Sequence, residues 1–150
     1  MSGTYTNLLY HIVFSTKERR QLITPAIESE LYAYMGGVFA NIGGRLLEIN
    51  GVADHVHLLA KLPPKLAVSD VIRDVKANTS KWLNGEKTKL YKFAWQDGFA
   101  AFSVSESQAP RVRGYIRRQK EHHQSQDYKT ELVALLDKNR VEYDPRYLWR

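Results

Sequence analysis

The order in which hydrophobic periodicity changes along this chain is compatible with few folds. Segments with alternating apolar residues, typical of strands, and segments with apolar residues every three or four positions, typical of helices, follow as β-α-β-β-α-β. Two further helical segments follow within the 150 residues. This order is typical of a split βαβ arrangement, an antiparallel sheet with two helices on one face. We therefore expect one α+β domain over residues 1–150, ferredoxin-like or RNA-recognition-motif-like, with additional C-terminal helices.

Turn and capping residues predict where these segments begin and end. Thr24 followed by Pro25 is a good helix start, and Gly43-Gly44 ends that helix near residue 42. Ser69 is the expected cap of the second helix, which Gly85 ends. The predicted strands lie at 5–15, 45–51 and 55–62 and within 93–105, and the last helices at 107–124 and 128–139. Helix 107–124 is available to cover the second face of the sheet.

Composition and charge exclude several classes of protein. Nothing resembles a transmembrane stretch or a signal peptide, and the absence of cysteine excludes disulfide frameworks, thiolate zinc sites and cysteine nucleophiles. The net charge of +6 favours an acidic partner, most commonly nucleic acid, with a membrane surface or simple solubility as alternatives. These features favour a cytoplasmic location.

Basic residues cluster within 17–20, 87–92 and 111–120. Aromatic residues lie near these clusters, as single-strand binding surfaces often require. Solvated helix faces and loops explain any one cluster equally well. The predicted phosphate contacts are Lys17, Arg19 and Arg20.

His55 and His57 are separated by one residue inside the apolar segment 52–62. Because alternate side chains of a strand share a face, both imidazoles leave the same face while Val56 packs into the core. Two neutral imidazoles on a rigid strand supply much of a small metal site. An isolated H-x-H pattern is unspecific, so further residues must point to the same place.

Segment 107–124 contains residues that suit such a site. Tyr115 and Gln119 are four residues apart, so they project from the same side of a helix. A phenol can act as a nucleophile, and an amide oxygen can bind a hard cation. Opposite the histidine pair, these two side chains would complete a site with metal positions left open for a substrate phosphate.

The H-x-H strand, the later Y-x-x-x-Q helix and the small βαββαβ core resemble the single-tyrosine HUH transposases of bacterial insertion sequences, the IS200-like family. The resemblance extends over essentially the whole chain. Besides segment 115–123, it includes YHIVFSTK (10–17), DHVHLL (54–59), SKWL (80–83), WQDGF (95–99), FSVS (102–105) and YDPRYLW (143–149).

This resemblance implies a bacterial, DNA-associated endonuclease and strand transferase that acts on single-stranded DNA beside a hairpin. Tyr115 would attack the scissile phosphorus to leave a 5′-phosphotyrosine link, and a 3′-hydroxyl from another strand would then rejoin the ends. His55, His57 and Gln119 would hold one divalent ion, Mg²⁺ or Mn²⁺. Family members are homodimers in which the tyrosine helix of one chain can complete the partner's site. Two imidazoles also suit zinc, so the ion is less defined than the site.

The sequence leaves more than one role possible for several residues near this site. A free tyrosine has a pKa near 10, so the metal, Arg118 or a substrate phosphate acting as a base must favour the phenolate. Arg118 is also a predicted DNA contact. His122 and His123 are expected at the surface or on the DNA backbone, and His11 is expected to be structural.

Other enzymes that use H-x-H fit poorly. Histidine-triad hydrolases require a third histidine where this chain has Leu59, and metallo-β-lactamase-like hydrolases require H-x-H-x-D-H. Two-histidine phosphoesterases require two separate H-x-[ST] motifs, which the chain lacks. Two alternatives stay open: a DNA- or RNA-hairpin-binding regulatory protein that does not cut, and a domesticated transposase acting on repeated genomic palindromes.

Overall fold

The computed structural model of the protein describes residues 3–87 and 91–149. Its four described strands form one antiparallel sheet: β1 (Leu8–Ser15), β2 (Arg45–Val52), β3 (His55–Leu62) and β4 (Ala100–Val104). Their order across the sheet is β2-β3-β1-β4, so β1 and β3 lie in the centre. The α+β fold predicted from the βαββαβ order is confirmed.

The longer helices are α1 (Pro25–Asn41), α2 (Val68–Trp82), α3 (Ala109–Arg117), α4 (Gln119–His122) and α5 (Tyr128–Lys138). Short 3-10 turns occupy Lys17–Arg19 and Glu106–Gln108, and a π turn occupies Leu83–Lys87. Thr24 precedes α1 with Pro25 in its first turn, as predicted, but the Thr24 side chain makes no capping hydrogen bond. α2 instead follows Ala67, so Ser69 lies inside the helix and does not cap it.

Both faces of the sheet are covered. Helices α1 and α2 pack on one face and form the larger core with Ile12, Phe14, Val56 and Leu58. Two smaller apolar clusters lie on the other face. One joins the sheet to α3 and the other joins it to α5. The face that carries the strand histidines is therefore an interior layer.

The segment predicted as a single helix at 107–124 is divided. It begins with the 3-10 turn and is interrupted at Arg118, whose φ of −93° and ψ of 17° are not helical. The Arg118 N–H is shared between the carbonyls of Gly114 and Tyr115, a tightening that is common where a helix ends. The predicted first strand is also too long at its start, since β1 begins at Leu8.

The β2–β3 hairpin determines where the histidines lie. In the register of the sheet, His55 is opposite Ser15 of β1 and His57 is opposite Val13. Gly51 approaches the turn so closely that a Cβ atom there would lie 2.1 Å from the His55 carbonyl oxygen. A side chain at position 51 is therefore incompatible with this hairpin.

Within the basic segment 87–92, residues 88–90 lie outside the described residues. Lys87 pairs with Glu30 at 2.7 Å. None of the described helices is both long enough and apolar enough to cross a membrane.

Candidate active site

Both strand histidines are fully buried on the sheet face that the C-terminal helices cover. In each ring, Nδ1 contacts a neighbouring side chain. Nδ1 of His55 donates a hydrogen bond to Oδ1 of Asp54 at 2.7 Å. Nδ1 of His57 lies 2.9 Å from Nε2 of His11. Such outer contacts orient an imidazole and leave its other nitrogen for a ligand.

A carboxylate from α5 lies where the two Nε2 atoms converge. Oε1 of Glu131 is 3.2 Å from Nε2 of His55 and 2.9 Å from Nε2 of His57. The same oxygen is 2.9 Å from Nε2 of His123. One ligand-type atom from each of the four residues lies within 4.8 Å of the others. We call these four residues the His/Glu cluster.

Glu131 is not among the residues predicted from the sequence, although α5 contains a signal for it. The buried positions of this helix are Tyr128, Glu131, Leu132 and Leu136. The glutamate therefore lies on the apolar face and is only 2% exposed. Acidic side chains are almost never fully buried unless they are paired. A glutamate within an apolar helix face thus indicates a buried polar partner.

Tyr115 and Gln119 contact the second oxygen of the same carboxylate. The Tyr115 hydroxyl donates a hydrogen bond to Oε2 of Glu131. Nε2 of Gln119 donates to this oxygen at 2.9 Å. The structure therefore brings Tyr115, Gln119 and the strand histidines together within one chain, even though the break at Arg118 places the tyrosine and the glutamine on different helices.

His122 and His123 are half-buried and not exposed at the surface as predicted, while their contact with the DNA backbone stays a prediction. His123 belongs to the His/Glu cluster, and the His122 ring lies 4.7 Å from the Tyr115 ring. Both follow from the packing of α4 against β2, which keeps this segment over the sheet. His11 is buried and bonded to His57, as expected for a structural histidine, and it also lies beside the predicted metal ligands.

Burial and hydrogen bonding shift the pKa values of the histidines in different directions. Burial lowers the pKa of His57 to about 4, and burial together with the neighbouring His57 lowers the pKa of His11 to about 3. Burial also opposes the charged form of His55, but contacts with Asp54 and Glu131 outweigh it and raise its pKa. Burial alone would raise the pKa of Glu131, but the adjacent imidazoles of His55 and His57 hold it below its usual range. The cluster therefore contains an ionised carboxylate beside a neutral His57.

These side chains fit a divalent cation. Oε1 of Gln119 is buried and has no hydrogen-bond partner among the described residues. Nε2 of His55, although near Glu131, also lacks hydrogen-bond geometry. A nitrogen lone pair and a carboxylate oxygen that face each other require a proton or a cation between them. Imidazole nitrogens with carboxylate and amide oxygens are ligands that Mn²⁺ accepts, and the oxygens also suit Mg²⁺.

The predicted DNA contacts lie at the surface around this site. Lys17 and Arg20 are exposed in the turn after β1, and the guanidinium of Arg19 lies 5.4 Å from the centre of the Trp149 ring. Arg118 is exposed at the break between α3 and α4. These positions leave Lys17, Arg20 and Arg118 accessible to a phosphate.

A groove of about 430 Å³ opens beside the tyrosine. Its lining includes His11 and Tyr115 and two exposed cations, Arg111 from α3 and Lys138 from α5. The groove therefore places positive charge from two helices next to the phenol, although neither cation was among the predicted DNA contacts.

Known sequences match the part of the chain that contains most of the residues of this site. A family profile described as "Transposase IS200 like" matches residues 4–119. The chain belongs to the IS200-like transposase family. The matched segment contains both strand histidines, Tyr115 and Gln119, and it ends before α5 and Glu131. Transposases act on DNA, so family membership agrees with the basic surface and makes the His/Glu cluster a candidate active site.

Two curated relatives extend the match. The transposase for insertion sequence element IS200 from Salmonella typhimurium is 31% identical over 130 residues, which cover 81% of this chain and 82% of that protein. The ISDra2 transposase TnpA of Deinococcus radiodurans is 25% identical over 122 residues, which cover 78% of this chain and 87% of that protein. The chain is thus similar to these family members over most of their length.

Two solved structures share the fold. A Deinococcus radiodurans R1 protein assigned as a transposase has a TM-score of 0.63 at 21% identity, covering 79% of this chain and 95% of its own. A REP-associated tyrosine transposase bound to a REP hairpin has a TM-score of 0.60 at 18% identity, covering 82% of this chain and 74% of its own. At these identities the likeness shows the fold.

Proposed function

We propose that this transposase cleaves and rejoins single-stranded DNA beside a hairpin, with Tyr115 as the nucleophile and a divalent ion held by His55, His57 and Gln119. The observation that carries the proposal is one shared contact. The Tyr115 hydroxyl is bonded to the carboxylate toward which Nε2 of both strand histidines points. A nucleophile and a set of metal ligands therefore lie within reach of one phosphate.

The proposed reaction exchanges one phosphodiester for another. The Tyr115 oxygen forms a bond to the scissile phosphorus while the bond from phosphorus to the 3′-oxygen breaks. The phenolic proton is lost, the departing 3′-oxygen gains a proton, and the DNA 5′ end is left as a phosphotyrosine. A 3′-hydroxyl from another strand reverses these steps. Bond energy is retained throughout, so no nucleotide cofactor is required.

The environment of Tyr115 explains why this chemistry would need a cation. Burial, reinforced by the hydrogen bond to Glu131, raises the pKa of the Tyr115 phenol above its ordinary value. The phenol is therefore neutral in the protein alone, and its bonded partner is Glu131 and not Arg118. A bound Mg²⁺ or Mn²⁺ would supply positive charge that favours the phenolate and the charge developing on phosphate oxygens.

The surface of the protein supports a DNA substrate. The net charge is +6, and the cationic groove beside Tyr115 contains Arg111 and Lys138. We assign phosphate contacts to these two residues as well as to Lys17, Arg19, Arg20 and Arg118. The REP-associated transposase of similar fold was solved with a REP hairpin, which supports a hairpin as the DNA partner here. We further propose that the whole chain is one catalytic domain that acts as a homodimer.

A covalent-adduct assay tests this proposal. The protein is incubated with labelled single-stranded hairpin DNA taken from the flanks of its gene, with Mg²⁺ or Mn²⁺. We expect a denaturant-resistant protein–DNA adduct that disappears with EDTA and with Tyr115→Phe. Tyr5→Phe is the matched control, because Tyr5 is 93% exposed; it should form as much adduct as the wild type.

Each other result has a defined meaning. Hairpin binding without an adduct in either metal would contradict the catalytic proposal and favour a hairpin-binding protein that does not cut. An adduct that persists in Tyr115→Phe would show that another residue is the nucleophile. The absence of both binding and adduct on flanking hairpins would contradict the proposed substrate.

A further inference from the structure

Glu131 is the one acidic member of the His/Glu cluster, and it lies outside the segment that matches the family profile. Its Oε1 atom is within 3.2 Å of Nε2 of His55 and within 2.9 Å of Nε2 of both His57 and His123. Three nitrogens from β3 and the end of α4 therefore surround one oxygen from α5. Two of these contacts are hydrogen bonds, and the four residues together form a group that could hold a metal ion.

The burial of Glu131 requires an explanation. Removing a carboxylate from water costs several kcal/mol unless it is paired and hydrogen-bonded. Glu131 shares the buried face of its helix with Tyr128, Leu132 and Leu136. An apolar residue at position 131 would avoid the cost of burying a charge, but it would leave the Tyr115 hydroxyl and Nε2 of Gln119 without this partner. The carboxylate thus has a role beyond docking.

Two buried polar atoms near the carboxylate lack hydrogen-bond partners, and both are of a kind that binds a cation. Oε1 of Gln119 is buried without a hydrogen-bond partner among the described residues, while the Nε2 atom of the same amide donates to Glu131. Nε2 of His55 also lacks hydrogen-bond geometry. A cation beside the carboxylate would satisfy both atoms.

We propose that Glu131 is an additional ligand of the divalent ion, and that its second oxygen positions the Tyr115 hydroxyl beside that ion. This inference rests on the proposed function, because it concerns the same metal site. It adds a negatively charged oxygen to a ligand set of two imidazoles and an amide. Carboxylate oxygens are the side-chain ligands that Mg²⁺ and Mn²⁺ favour, so Glu131 makes the site better suited to these ions than His55, His57 and Gln119 alone.

The two oxygens of Glu131 would have separate tasks. Oε1 faces the imidazoles, while Oε2 accepts hydrogen bonds from Tyr115 and Gln119. The carboxylate therefore connects the metal site to the nucleophile in the same chain. This arrangement makes α5 a part of the active site rather than an accessory helix.

Direct measurement of metal binding tests the inference without relying on activity. Mn²⁺ is titrated into the full chain by isothermal calorimetry for the wild type, Glu131→Gln and Glu121→Gln. Residues that merely support metal ligands change affinity by about 10–100-fold when mutated, so loss of a direct ligand should exceed about 100-fold. Glu121→Gln removes an exposed carboxylate from α4 and should leave the affinity unchanged.

Two additions separate a ligand from a structural residue. Glu131→Gln is close in shape to glutamate, and its thermal unfolding in EDTA should establish that it folds. If that variant does not fold, Glu131→Asp is the substitute. Its side chain keeps the negative charge but is one methylene shorter. If Glu131 is a ligand, Glu131→Asp should bind Mn²⁺ more weakly than the wild type. Tyr115→Phe removes only a hydrogen bond to the proposed ligand, so it should lower the Mn²⁺ affinity by less than Glu131→Gln does, by no more than about 10–100-fold.

The outcomes distinguish this inference from the proposed function. If the wild type binds Mn²⁺ and Glu131→Gln binds it within about threefold, Glu131 is not a ligand, while the proposed site of His55, His57 and Gln119 stands. If the wild type binds neither Mn²⁺ nor Mg²⁺, both the inference and the metal dependence of the proposed reaction are wrong.

Discussion

Nε2 of His11 lies 2.9 Å from Nδ1 of His57, so a neighbouring strand holds the His57 ring at its outer edge. The two residues are 46 positions apart in sequence but lie on adjacent strands. Since the outer nitrogen of His57 is engaged, its Nε2 points into the His/Glu cluster. The orientation of the predicted metal ligand thus depends on a residue of β1.

This contact predicts that His11→Ala weakens metal binding without removing a ligand. The His57 ring would lose the partner that fixes its orientation, and we expect the Mn²⁺ affinity to fall by about 10–100-fold. Isothermal calorimetry measures the change. Tyr10→Phe, which alters the adjacent residue on the opposite face of β1, is the control and should bind Mn²⁺ normally. Equal affinity of His11→Ala and wild type would show that this contact does not support the site.

The cationic groove predicts a specific salt dependence of DNA binding. If Arg111 and Lys138 contact phosphates, Arg111→Ala with Lys138→Ala should weaken binding of single-stranded DNA at every sequence tested. The slope of log affinity against log salt should decrease in magnitude by about 0.7 for each lost contact. Fluorescence anisotropy across a salt series measures both effects. Arg73→Ala, which removes a cation paired with Asp70 at 3.2 Å on α2, should change neither.

Gly51 predicts a large cost for the smallest side chain. In Gly51→Ala the new Cβ atom would meet the His55 carbonyl oxygen at 2.1 Å, so the backbone that carries the histidines must shift. We expect urea unfolding to reveal a loss of about 1–3 kcal/mol, as overpacking commonly causes, and weaker Mn²⁺ binding. Gly37→Ala in α1 meets no atom within 4 Å and should instead gain about 0.5–1 kcal/mol. Similar stability of both variants would contradict this account.

Lys76 predicts a pH dependence of stability that is independent of the metal site. Its Nζ atom donates to the Gln96 carbonyl at 2.8 Å and to the Gly98 carbonyl. Burial nevertheless lowers its pKa from 10.5 to about 8, with Asp97 opposing the shift. Between these values the unfolded chain holds a proton that the folded chain has released, so this lysine makes stability rise with pH from about 8 to 10.5.

The measurement is the free energy of unfolding of wild type and Lys76→Met between pH 7 and 10.5. Other titrating groups are common to both proteins, so their effects cancel in the difference. The wild type should gain stability relative to Lys76→Met as the pH rises above 8. Parallel curves over this range would contradict the lowered pKa.

Local pattern and capping were sufficient to predict much of the fold. The alternating segments of β1 and β3, the helix that starts at Thr24-Pro25 and the β2–β3 hairpin all depend on neighbouring residues, and each is present. The face shared by His55 and His57 likewise follows from the two-residue repeat of a strand. The predicted start of α2 was wrong because Ser69, a residue that often caps helices, lies inside the helix. The single helix predicted at 107–124 was wrong because the chain is interrupted at Arg118, which is neither glycine nor proline.

The sequence alone therefore determined the βαββαβ order and the shared face of the two strand histidines. Through its resemblance to a family, it also indicated Tyr115 and Gln119 as site residues. Only the tertiary structure decided which side chains surround them. Glu131 lies 74 residues from His57 and His11 lies 46 residues from it, yet both bond to its ring. Periodicity assigns a residue to a face of its own strand or helix, but the residue it meets depends on the packing of distant elements against that face. The partners of the site are properties of the folded chain.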